Sequence, residues 1–83
     1  MKVDKLVKMA NQIGAFFAAE PDKVAALEGV AGHLGRFWEP RMRRELLQWL
    51  DEQDGRGLTP LVLEALRAHR VRLTPSTDAP RVS

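Results

Sequence analysis

The residues with the most to offer chemically lie between positions 33 and 46. There Arg36, Arg41, Arg43 and Arg44 gather around Phe37, Trp38 and Pro40. Guanidinium groups bind carboxylates and phosphates through paired, bidentate hydrogen bonds. Aromatic, methionine and arginine side chains are also the types enriched in the cores of protein interfaces. Pro40 suits the first turn of a helix, where its missing N–H costs nothing. That start puts Arg41, Arg43 and Arg44 against the positive end of a helix dipole, at a cost of about 0.3–1 kcal/mol each where the field is felt. A stretch selected for folding alone would carry acids there. The placement points to an anionic partner outside the domain, and an ordinary solvated face is the competing reading.

Catalysis has no comparable set of residues. Cysteine is absent, and Ser76 and Ser83 lie in a stretch without periodicity. His33 and His69 are too far apart to form a helical ligand pair; His33 reads as an edge histidine and His69 as a satisfied core or edge histidine. Neither His-Glu-x-x-His nor a Gly-x-x-x-x-Gly-Lys phosphate loop occurs. A small core also leaves little room for a substrate pocket of about 300 Å³ or more. The residues therefore imply a binding protein with no catalytic residue and no metal. One class is a protein-interaction subunit that uses the Phe-Trp-Glu-Pro-Arg-Met-Arg-Arg junction. The alternative is a helix-turn-helix nucleic-acid-binding protein, with the second and third helices as the motif. Against that alternative stand the small charge excess and the few polar side chains suited to base edges on the third helix.

The elements that position these residues follow from composition and spacing. With 83 residues, the chain suits one small domain. Such a domain buries roughly 60–65% of its unfolded surface and, lacking disulfides, often draws on a partner for core. The net charge is only +2, although the sequence pI is about 9.5. The apolar runs fall far short of the roughly 20 residues that span a bilayer. Met1-Lys2-Val3-Asp4 lacks the apolar core of a signal peptide, and the absence of cysteine fits a reducing compartment.

Helical spacing predicts a first helix over residues 3 to about 19, with Val3, Leu6, Met9, Ala10, Ile13, Phe16 and Phe17 on one side. That arc covers about half the circumference, wider than the roughly 100° stripe of a surface helix. Two apolar neighbours, or one neighbour and an outside partner, are expected. Asn11 and Gln12 flank the arc, and each reads either as a polar residue at the edge of a buried face or as a group that hydrogen-bonds across an interface. Pro21 breaks this helix. A second helix over about 22–37 carries Val24, Leu27, Val30, Ala31, Leu34 and Trp38 on one side. Gly29, Gly32 and Gly35 form a stripe on the other, implying either close approach of another backbone or a weak helix. A third helix over about 40–52 buries Met42, Leu46, Trp49 and Leu50. Its terminal acids are free to pair with arginines elsewhere. Gly55 and Gly57 suit a turn, and Thr59-Pro60 reads as a threonine cap starting a last helix to about residue 70. The short connections favour antiparallel neighbours. The expected fold class is all-α: a helical domain over 1–73, built from about four short helices with Pro/Gly breaks, and a disordered or extended tail over 74–83.

Several runs match a known pattern. Met9-Ala10-Asn11-Gln12-Ile13-Gly14 with Phe16-Phe17 is followed by His33-Leu34, by Arg36-Phe37-Trp38-Glu39-Pro40-Arg41-Met42-Arg43, and by Gly57-Leu58 and Pro60-Leu61-Val62. Over residues 3–70 the chain resembles the delta subunit of NAD-dependent, molybdenum-containing formate dehydrogenase. It departs from the family at two places. Asp54 replaces the first glycine of a Gly-Gly-x-Gly-Leu turn, and Trp49 stands where a histidine or another polar residue is expected.

The resemblance implies a cytoplasmic, non-catalytic accessory subunit without a redox centre. Its partner would be the alpha subunit, which carries molybdenum bis(pyranopterin guanine dinucleotide) and iron–sulfur clusters. Beta and gamma subunits would carry flavin mononucleotide (FMN), further clusters and the NAD site. The implied role is association with the alpha subunit in support of assembly, stability or cofactor maturation. The expected partner-binding residues are Asn11, Gln12, Phe16, Arg36, Phe37, Trp38, Arg41, Met42 and Arg43. No membrane contact is expected, and the same apolar face would let the isolated chain pair with itself.

Overall fold

Proline sets two of the helix starts. Pro40 and Pro60 each occupy the first turn of a helix, where a missing N–H is harmless. The computed structural model describes residues 2–75. It comprises α1 (Val3–Phe17), α2 (Lys23–Phe37), α3 (Pro40–Gln53), α4 (Pro60–Ala68) and the single turn α5 (Arg70–Leu73). No strand occurs among the described residues, so the all-helical expectation holds. The last helix is the exception in detail. It stops at Ala68, because His69 leaves helical geometry at φ −115° and ψ 26°. That kink starts α5, which carries Leu73 into the core.

The core is aliphatic and draws on every helix. Leu6 and Ala10 meet Val30, Ala31 and Leu34, together with Leu46, Leu47 and Leu50, Val62, Ala65 and Leu66, and Leu73. α2 packs most extensively on α4, while α1 touches α2, α3 and α4. Part of the wide apolar arc of α1 is thus covered by several neighbours. α2 and α3 are not one of the main packed pairs, contrary to the antiparallel expectation. Trp38 and Glu39 between them are both extended, with ψ of 135° and 151°, and this link sends α3 onto α1 instead. Val24 also departs from expectation. It lies in the first turn of α2 and is 74% exposed, outside the core.

The Thr59 hydroxyl does not cap α4, although Thr59 is the N-cap residue. Asn11 works there instead. Its Nδ2 donates to the Gly57 carbonyl at 2.9 Å, and its Oδ1 accepts the Thr59 N–H at 3.0 Å. One side chain on α1 therefore fixes the loop that launches α4. Trp49 holds the same loop from α3, donating its indole N–H to the Arg56 carbonyl at 2.8 Å. Asp54 ends α3 in the left-handed region, at φ 55° and ψ 26°.

The acids at the end of α3 find a partner as expected. Asp51 receives both terminal nitrogens of Arg70, at 2.6 and 2.5 Å. Arg72 donates from the single nitrogen Nη1 to both oxygens of Glu28 on α2, at 2.7 Å each. One bidentate and one forked ion pair thus clasp α5 to the body. The first residues of the expected tail are held as well. The Thr74 hydroxyl donates to the Arg70 carbonyl at 2.8 Å, and Pro75 is fully buried. The rest of that tail, residues 76–83, lies outside the described residues.

Two substitutions test this account in urea denaturation. Asn11→Ala removes two hydrogen bonds and is expected to cost about 1–3 kcal/mol. Asp54→Gly removes the left-handed strain of a residue with a Cβ and is expected to stabilise by up to about 1 kcal/mol.

Candidate functional site

Two faces of α1 do different work. Leu6, Ala10 and Gly14 are buried, facing the core. Met9, Gln12, Ile13 and Phe16 line up on the adjacent face at helical spacing. With Phe17, His33 and Trp38 they line an open groove of about 530 Å³ along the α1–α2 hairpin. Trp38 is itself nearly covered, at 6% exposure, whereas Phe16 is 75% exposed. The Phe16 and Phe17 rings meet edge to face, with centroids 4.9 Å apart.

A second groove of about 360 Å³ adjoins the first. Glu28, Gly29, His33, Arg36 and Phe37 of α2 line it, with Phe17 of α1. Phe17 and His33 belong to both walls. Phe37 is 70% exposed and leans on the His33 ring, with centroids 4.9 Å apart at a 46° tilt. The glycine stripe explains itself at one position only. The Phe17 ring lies so close to Gly29 that no Cβ would fit. Gly32 meets only the far end of Arg72, and Gly35 faces open space. The close approach is that of a ring, not of the second backbone the sequence suggested.

The residues expected to bind a partner divide into groups. Gln12, Phe16 and Trp38 line the first groove, while Arg36 and Phe37 line the second. Asn11 lies away from both, with each end of its amide engaged by the loop before α4. Arg41 is exposed on the first turn of α3. Met42 packs partly buried against the core. Arg43 is half-buried, with its Nε enclosed and lacking a hydrogen-bond partner. Met9, Ile13 and Phe17, which the sequence places on the broad apolar arc of α1 with its covering neighbour left open, pack against the core and line the groove as well, and His33, read as an edge histidine, joins them. The excess width of the α1 arc was the signal for them.

Among the described residues, no cluster of three or more His, Asp or Glu side chains is placed to hold a metal ion. None of their helices is long and apolar enough to cross a membrane. The family model described as NADH-dependent formate dehydrogenase delta subunit FdsD matches residues 5–66. The chain belongs to this delta-subunit family. No match is found among curated proteins or among solved structures.

The delta-subunit match spans both grooves and the Asn11 bracket, and the structure gives its motifs physical content. In Met9-Ala10-Asn11-Gln12-Ile13-Gly14, Ala10 is core and Asn11 holds the loop. Met9, Gln12 and Ile13 form groove wall, and Gly14 abuts Val62 where a Cβ would collide. At the two departures, Asp54 adopts the left-handed geometry that glycine takes most easily, and Trp49 performs a polar duty through its indole N–H.

Glu28, on the wall of the second groove, titrates below its ordinary value of 4.5. The hydrogen bonds from Arg72 are the main cause, opposed by partial desolvation and aided by the charges of Arg72, His69 and Arg36. A depressed carboxylate stabilises the fold above its unfolded pKa, and that contribution fades as pH falls through the folded value. The Arg72 clasp should therefore loosen only below about pH 4.5. Glu28→Gln is expected to flatten this part of the stability-versus-pH profile, measured by thermal melts between neutral and acidic pH.

Proposed function

We propose that this chain is a non-catalytic accessory subunit that docks on the molybdenum-bearing alpha subunit of an NAD-dependent formate dehydrogenase. The docking face is the α1–α2 groove together with the Phe37 corner. The subunit supports assembly, stability or cofactor maturation of the complex. The redox groups belong to its partners: the molybdenum pterin and iron–sulfur clusters to the alpha subunit, FMN and the NAD site to the beta and gamma subunits. This chain has no cysteine, the residue on which iron–sulfur clusters chiefly depend.

One observation carries the proposal beyond the family match. The folded chain keeps an open, mainly apolar groove flanked by Phe16 and Phe37, each at least 70% exposed. Fully burying such a ring is worth about 1.5–3 kcal/mol. Covering both rings would supply part of the affinity, and the rest of the interface must offset the cost of association. The exposed Arg41 and the half-buried Arg43 add positive charge at the start of α3, outside the lining of both grooves. The helix-turn-helix alternative lacks support, because α2 and α3 do not form a main packed pair.

Co-purification from native extract tests the proposal. Phe16→Asp combined with Phe37→Asp should remove the alpha subunit from the purified material. Val24→Asp, at an equally exposed apolar position outside both grooves, should retain it. Charge reversal at Arg41 and Arg43 should lower both alpha-subunit recovery and molybdenum content, with circular dichroism confirming the fold. Normal recovery in the aromatic double variant would reject the groove as the docking face. Normal recovery and molybdenum content after charge reversal would remove the arginines from it.

A further inference from the structure

If the groove is the docking face, as proposed above, its walls also specify what enters it. The first groove has no carboxylate among its lining residues, and its polar members are Gln12 and His33. The second has one, Glu28, whose two oxygens are both taken by Arg72 at 2.7 Å. His69 adds a further contact to Glu28 at 3.9 Å. Two exposed cations lie near the grooves. Arg36 lies on the wall of the second groove beside Phe37 and is exposed. Lys5, also exposed, shares one line of α1 with Met9, Gln12 and Phe16, at spacings that place all four on a single face. The first groove itself is uncharged; Lys5 stands one turn before Met9 on the same face of α1, and Arg36 lies on the wall of the adjoining second groove, whose one carboxylate, Glu28, is already paired with Arg72.

We infer that the groove receives an apolar segment of the partner polypeptide flanked by carboxylates. Two or three large apolar side chains enter between Met9, Ile13, Phe16 and Trp38. Neighbouring Asp or Glu side chains meet Arg36 and Lys5. The exposed Gln12 amide, with donor and acceptor at one rim, serves the backbone of the incoming segment. A basic segment is rejected by the same charges, so the border selects the partner while the groove supplies most of the affinity.

The test uses the full chain and short overlapping peptides that tile the alpha subunit of its formate dehydrogenase, with binding read by fluorescence anisotropy. The peptides that bind should combine large apolar residues with Asp or Glu. Phe16→Asp should weaken them by more than about tenfold. Arg36→Glu should weaken them by about two- to fivefold at low salt, with the difference shrinking as salt rises. Arg36→Lys should retain most of the binding. Strongest binding by peptides that lack carboxylates, or unchanged binding by Arg36→Glu, would overturn the inference. Co-purification of the alpha subunit would then still stand, so the accessory role would survive. A salt-resistant dimer of the chain that is lost in Phe16→Asp, with no peptide bound, would also overturn it and assign the groove to a second copy. Binding of a nucleic-acid oligomer at the groove in place of peptides would overturn both readings.

Discussion

Asn11 spends both ends of its amide on the loop between α3 and α4, and the rest of the fold depends on that bracket. An 83-residue chain without disulfides has one core and few means of fixing a loop. By holding Gly57 and Thr59 against α1, the amide sets where α4 begins. α4 is in turn the main packing partner of α2. Helices that meet only through side chains are thereby registered through a backbone contact. The bracket lies on the flank of α1, leaving its two apolar faces free, one for the core and one for the groove.

The aromatic corner shows how adjacent residues take opposite roles. Phe37 is the last residue of α2 and keeps helical direction, so its ring stands outside against His33. Trp38 is the C-cap and adopts extended geometry, which turns the indole into the groove end and covers it. One change of backbone conformation converts a pair of neighbouring aromatics into a wall and a projecting knob. Pro40 makes that change durable, since proline starts a new helix and cannot continue the old one.

Much of this was legible in the chain. Proline and glycine punctuation marked the breaks, and the helical period located the core, because both act locally on backbone and burial. The site was legible only in part. Gln12, Phe16, Arg36, Phe37 and Trp38 were singled out and do line the grooves. Met9, Ile13 and Phe17 stood on the apolar arc with their covering neighbour left open, because hydrophobicity does not say which neighbour covers a side chain; they pack against the core and line the first groove. Asn11 looked like an interface residue because its partners lie more than forty positions away in sequence. The Arg72–Glu28 pair was hidden for the same reason, since its partners stand 44 positions apart, and the Asp51 partner was expected only as an arginine somewhere in the fold.

The seat of Phe17 on Gly29 has a consequence for how such a subunit adapts to its complex. The ring belongs to both grooves, and its position is set by the bare backbone beneath it. Any residue larger than glycine at position 29 must lift the ring and change the clearance of both channels together, without touching an exposed residue. A single half-buried position on the groove wall therefore acts as a set-screw for the fit. Interchangeability of subunits between related complexes would then be governed by what lies under the contact surface as much as by the contact surface itself.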